Sequence, residues 1–172
     1  FYDPNVKFEV NKTMENHRKI EKYYNFAEIN DGSNGHGTHC AGIICGQSYI
    51  KDAGISLYNG MAPSARLVVA DVGFSGSDLN GEFDQFEIFN YFERDGVSIC
   101  SNSWGFDATE DTKLDTVMYD YISYLHPYML FVFAAGNEGR SSFYTINSPG
   151  DSKNILSVGG LTGTQLSSIE YS

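Results

Sequence analysis

The chain has 172 residues, 41% of them apolar and 19% charged, which suits one domain with a sizeable core and argues against disorder. Its formal net charge of −11 makes nucleic acid and anionic membrane surfaces poor partners. No apolar run approaches the roughly 20 residues that a bilayer-spanning helix needs, and no stretch has the basic, apolar and small-residue order of a signal peptide.

Residues 1–30 are polar and irregular and predict a surface segment with one short strand or helix. They contain Asn11-Lys12-Thr13, an N-glycosylation sequon of a kind that also arises by chance. From residue 36 the pattern changes. Small and apolar residues at helical spacing over 36–46, ending on glycine, predict a buried helix. The run Ala-Arg-Leu-Val-Val-Ala-Asp-Val over 65–72 predicts a buried strand. Over 81–94, Phe83, Phe86, Ile88, Phe89 and Phe92 recur at mostly three- and four-residue steps, and Asp95-Gly96 stops that helix. Residues 97–102 predict a second strand. A helix over 111–125 would bury Leu114, Val117, Met118, Tyr121, Ile122 and Leu125 on one face, and His126-Pro127 ends it. Residues 129–135 and 155–158 predict two further strands.

This alternation of strand and helix predicts an α/β fold: three layers, with a mostly parallel sheet flanked by helices. The strands read as continuously apolar rather than alternating, as strands covered on both faces do. Ligands in such sheets sit beyond the carboxyl ends of the strands. That directs attention to Ser103-Trp104-Gly105 and to Gly136-Asn137-Glu138-Gly139.

Three local features carry candidate chemistry. In Asn34-Gly35-His36-Gly37-Thr38-His39-Cys40, a histidine stands between glycines at a helix entry. An imidazole titrates near neutrality, so His36 suits a general base, while His39 would point inward to a structural hydrogen bond. A metal held by His36 and His39 is the rival reading, and no acid or cysteine at ligand spacing supports it. Asn137 follows a strand that ends in Ala-Ala-Gly, where its amide can face a developing oxyanion; a turn asparagine is the commoner explanation of Gly-Asn-Glu-Gly. Gly105 would let an extended peptide lie along the backbone beside Ser103 and Trp104; a buried tryptophan at a strand end is the alternative. Cys40, Cys45 and Cys100 are odd in number and read as small buried thiols.

Together these features resemble one family in order. Asn34 to Gly42 is similar to the histidine motif of subtilases, including its cysteine variant, and Gly60-Met61-Ala62-Pro63 resembles the Gly-Val-Ala-Pro segment that follows. Ser101 to Gly105 resembles the substrate-binding segment, Ala134 to Gly139 the asparagine motif, and Ser148-Pro149-Gly150 through Gly159 the stretch after it. The Ser-Asn-Ser-Trp-Gly wording, with Leu130 to Phe133, leans toward the KP-43-like branch. The resemblance implies a serine endopeptidase in which His36 takes the proton of the nucleophilic serine and Asn137 donates to the oxyanion. Ser103, Trp104, Gly105 and Gly136 would then line the peptide cleft. It also implies a polypeptide substrate, no required cofactor and a secreted or secretory-pathway location. Structural calcium is frequent in the family; Asp71, Asp78 and Asp84 lie near a loop without convincing ligand spacing. Nothing in the sequence sets an oligomeric state.

Two motifs of the family's triad do not occur. No aspartate before His36 has glycine two positions later; Asp3 and Asp31 both fail, and Thr162-Gly163-Thr164-Gln165 lacks the serine of Gly-Thr-Ser. The simplest expectation is the middle of a catalytic domain, residues 1–172, with the aspartate and serine motifs outside it. A non-catalytic scaffold on the same fold is the alternative.

Overall fold

The computed structural model describes residues 1–27, 32, 34–49, 58–73, 83–107, 113–139 and 144–160. They fall into two compact units, Phe1–Ile88 and Phe89–Ser172. Asp31, Asp78, the 111–112 start of the third predicted helix and the segment 162–165 lie outside the described residues.

In the first unit, β1 (Ile20–Asn25) pairs in parallel with β2 (Leu67–Asp71), with Tyr23 opposite Val69. Parallel neighbours need a crossover, and α1 (His36–Cys45) lies in it. The chain after α1 returns along the helix's own C-terminal end. Met61 N–H donates to the Ile43 carbonyl at 3.0 Å and Ala62 N–H to that of Ile44 at 2.8 Å, so two otherwise orphaned helix carbonyls are satisfied. This return requires glycine at position 60, because a Cβ there would stand 2.6 Å from the Gly42 carbonyl oxygen. A buried cation then ties the strands to this loop. Lys19 is almost fully buried, and its Nζ donates to the carbonyls of Pro63 at 2.8 Å and Ala65 at 2.5 Å. Burial lowers its pKa. The buried His17 ring accepts at Nδ1 from the backbone N–H groups of Lys19 and Ile20, at 3.1 and 2.9 Å.

The second unit is a three-stranded parallel sheet in the order β3 (Ile99–Asn102), β4 (Leu130–Ala134), β5 (Leu156–Val158). Before it comes α2 (Gln85–Arg94), whose first turn is capped by Asp84 Oδ1, which accepts the N–H groups of Phe86 and Glu87. Asp95-Gly96 ends α2 as the sequence predicts. Val97 N–H reaches the Phe92 carbonyl and Gly96 N–H that of Glu93, the pair of bonds of a Schellman ending. Between β3 and β4 runs α3 (Lys113–Leu125). Phe131 and Phe133 project from one face of β4 into an aromatic block. Phe89 packs edge-on against Phe131 at 5.0 Å and against Tyr119 of α3 at 5.7 Å, and Tyr119 against Phe133 at 4.9 Å. Trp104 joins at 5.3 Å from Phe133.

The architecture agrees with the predicted α/β fold: among the described residues β1 to β5 pair in parallel and helices flank the sheets. Four expectations are corrected. First, α1 is not a buried helix. Only Cys45 is buried, because the first turn holds small and polar residues and the helix docks by its C-terminal end; Cys40 is correspondingly only half-buried. Second, β2 is half-buried throughout. Third, α3 buries Tyr119 and Ile122, while Leu114, Val117, Tyr121 and Leu125 of the predicted face are exposed, Leu114 by 78%. Tyr119 offers the ring that edge-to-face packing on β4 requires, and this rotates the helix away from its aliphatic stripe. Fourth, among the described residues of the second unit's sheet, one face is buried and several apolar residues of the other are exposed. Ile99, Leu130, Leu156 and Val158 are exposed on the side opposite Phe131 and Phe133, since both helices pack on the aromatic side.

Two outcomes follow. Phe133 is fully buried, so Phe133→Ala lowers stability by about 3–5 kcal/mol in chemical denaturation. Burial lowers the His17 pKa, because the charged imidazolium loses hydration there; protonation at Nδ1 would also break the two backbone hydrogen bonds it accepts. The folded pKa lies below the ordinary value of about 6.5, so this contribution is present above pH 6.5 and lost as pH falls below it. Melting temperature against pH should show that slope, and His17→Gln should flatten it.

Candidate active site

The first candidate segment sits at the start of α1. Gly35 takes φ +65°, Asn34 Oδ1 accepts the His36 N–H at 3.0 Å, and His39 N–H donates to the Gly35 carbonyl at 2.9 Å. A side-chain turn on Asn34 followed by a left-handed glycine fixes the entry of the helix and leaves His36 exposed. Its Nε2 lies 3.7 Å from Cys40 Sγ, one turn further along. His39 is also exposed, which corrects the inward orientation expected for it: among the described residues of α1 only Cys45, at the far end of the helix, is buried.

The second and third candidate segments converge. Because β3 and β4 are adjacent and parallel, the residues following each leave the sheet at the same edge. There Phe106 and Ser148 exchange backbone hydrogen bonds at 2.7 and 3.0 Å, Asn147 N–H donates to the Ala135 carbonyl at 2.9 Å, and Ala135 N–H to that of Val158 at 2.9 Å. The side chain of Asn147 fills the space between the two glycines that sequence reasoning singled out. A Cβ on Gly136 would stand 2.6 Å from Asn147 Cγ, and one on Gly105 would stand 3.1 Å from Asn147 Cβ. Gly136 also takes φ +101°, so it must be glycine on both counts. Asn137, the next residue, is exposed, as are Ser103 and Gly105. Trp104 turns its ring the other way, onto Phe106, Tyr119 and Phe133, so its side chain anchors the segment to the aromatic block.

Asn147 escapes sequence reasoning because nothing in its own neighbourhood announces it. The signal lies in two glycines, at 105 and 136, that are distant in sequence. Its position is set by α3. Thr116 Oγ1 donates to Asp151 Oδ1 at 2.5 Å and lies 2.9 Å from Ser148 Oγ, and Ser152 Oγ donates to the Thr116 carbonyl at 2.8 Å. Asp120 further along the same helix accepts the Asn154 N–H at 2.9 Å. The 147–154 turn, with a cis Ser148–Pro149 bond, is therefore stitched to α3 through Thr116 and Asp120.

Other titratable groups have structural duties. Burial pushes the Cys100 thiol up to about 12, so it stays protonated. Burial also raises the Tyr119 and Asp115 pKa values. Of the acids considered for calcium, Asp71 bonds the Tyr23 hydroxyl and the Gly73 N–H, and Asp84 caps α2.

Comparison with known proteins brings relatives in view. Residues 3–171 match the model of the subtilase family. The serine protease/ABC transporter B family protein tagA of Dictyostelium discoideum is 31% identical over 173 residues, covering 95% of this chain and 10% of that protein. Subtilisin-like protease 2 of Pseudogymnoascus destructans is 32% identical over 136 residues, 76% of this chain and 29% of the relative. The chain thus spans a third or less of the length of these relatives. The solved prenylagaramide maturation protease PagA shares the fold, with a TM-score of 0.62 at 22% identity over 95% of this chain and 55% of that one.

The packing of Asn147 on Gly136 is testable by a double-mutant cycle. Gly136→Ala should destabilise the protein by about 1–3 kcal/mol through its positive φ and the clash. In an Asn147→Gly background the clash is absent, so the same substitution should cost less. Equal costs in both backgrounds would show the contact to be energetically idle.

Proposed function

The chain belongs to the subtilase family, and we propose that it supplies the general base and the oxyanion donor of a serine endopeptidase. The observation that carries this reading is the meeting of the 103–105 and 135–137 segments at one sheet edge, locked by Asn147, with Asn137 exposed just beyond. A donor must be fixed before charge develops if it is to stabilise an oxyanion without reorganising. The double constraint on Gly136 supports that role for Asn137.

In the proposed mechanism, an extended peptide lies along the exposed backbone at Ser103 and Gly105. His36, exposed at the start of α1, accepts the proton of the serine nucleophile as it attacks the scissile carbonyl. The carbonyl oxygen, now negative, takes a hydrogen bond from the Asn137 amide. His36 then returns the proton to the departing amine. The serine and the aspartate that orients the histidine are assigned to motifs that these 172 residues do not contain. The wording of 101–105 and 130–133 supports placement in the KP-43-like branch, and family membership supports a secretory location.

In the full-length protein, His36→Ala should lower kcat by about 10⁶, the figure for the same substitution in subtilisin. Asn137→Ala should lower it by about 10²–10³, again as in subtilisin, with little change in KM. The isolated 172-residue chain should not react with a fluorophosphonate probe, whereas the full-length protein should. A His36→Ala protein that cleaves peptides at the parent rate would overturn the assignment.

A further inference from the structure

The Asn11-Lys12-Thr13 triplet takes no part in the site described above, yet its structure is specific. All three residues are exposed, in a turn where Asn11 adopts φ +59°. The Asn11 backbone N–H donates to the Tyr23 carbonyl at 2.8 Å, and its side-chain Oδ1 accepts the Asn25 N–H at 2.9 Å. The carbonyl end of the side chain is therefore tied to the end of β1. The amide end, Nδ2, makes no hydrogen bond among the described residues. Thr13, two positions on, makes an isolated antiparallel bridge with Lys22 and is itself exposed.

An N-glycan acceptor needs a reachable Nδ2, a hydroxyl residue two positions later, a residue other than proline between them, and a surface that tolerates a bulky substituent. Each condition is met at this turn. We propose that Asn11 is an N-glycosylation site. The inference rests on passage through the secretory pathway, and not on the catalytic roles of His36 or Asn137. The donor would be a lipid-linked oligosaccharyl diphosphate, supplied with its transferase by the host cell. A C–N bond forms between Nδ2 and the anomeric carbon, the bond from that carbon to the diphosphate oxygen breaks, and Nδ2 loses one proton. Oδ1 is untouched by this chemistry, so the bond from Asn25 N–H survives and the folded turn accommodates the modified residue.

The test expresses the full chain behind a secretion signal in a glycosylating eukaryotic host and analyses both the medium and the luminal membrane fraction. Wild type should carry a mass excess that peptide N-glycosidase removes, leaving aspartate at position 11. Thr13→Ser should retain the excess. Thr13→Ala should lose it with an unchanged melting temperature, because that variant keeps the bond between Asn11 and Asn25. An unmodified Asn11 in luminal wild-type protein would overturn the proposal, as would a mass excess at Asn11 that persists in Thr13→Ala.

Discussion

The second unit depends on the edge-to-face contact between Tyr119 of α3 and Phe133 of β4. Both rings are almost fully excluded from solvent. Each aromatic pair contributes about 0.5–1.5 kcal/mol beyond the area it buries. Phe89, Phe131 and Trp104 extend the same block, so strand, both flanking helices and the segment after β3 share one anchor. Once α3 is fixed by this contact, its polar side has a fixed place too. Thr116 and Asp120 can then hold the 147–154 turn, and that turn presents Asn147 to the two glycines. The route from core to candidate site is thus a short chain of contacts, each with its own residues.

The first unit is organised differently. Among its described residues few large side chains are buried, and buried polar groups take their place: Lys19 against two carbonyls and the His17 ring against two N–H groups. Buried polar groups are tolerated when each is satisfied. Such a network defines a unique arrangement, and it is sensitive to protonation in a way an aromatic block is not. The exposed start of α1 belongs to this unit, so the surroundings of His36 are held by hydrogen bonds and loop geometry.

Much of this was legible in the sequence. The Asp95-Gly96 stop of α2, the positions of β2 to β5 and the exit of two candidate segments at one sheet edge all followed from periodicity, turn residues and the rule for parallel sheets. The family followed from motifs quoted residue by residue. What misled was the assumption that an apolar stripe marks a buried face. On α3 the buried face includes Ile122 of the predicted stripe but centres on Tyr119 and leaves Leu114 and Val117 exposed, a rotation that helical spacing alone does not reveal. The same assumption overstated the burial of α1 and of the sheet's second face.

The sequence by itself determined the local elements and the chemical vocabulary, because caps, turn residues and short motifs act over a few neighbouring positions. It put a histidine at a helix entry and an asparagine after a strand, it marked Gly105 as a place of close approach, and the family resemblance put Gly136 in the peptide cleft. Only the tertiary structure decided what approaches them. Asn147 is far from either glycine in sequence, and its place between them arises from strand pairing and from the grip of α3 on its turn. Contacts of that kind depend on which faces pack, and packing is settled by the shapes of side chains that meet only in the folded chain.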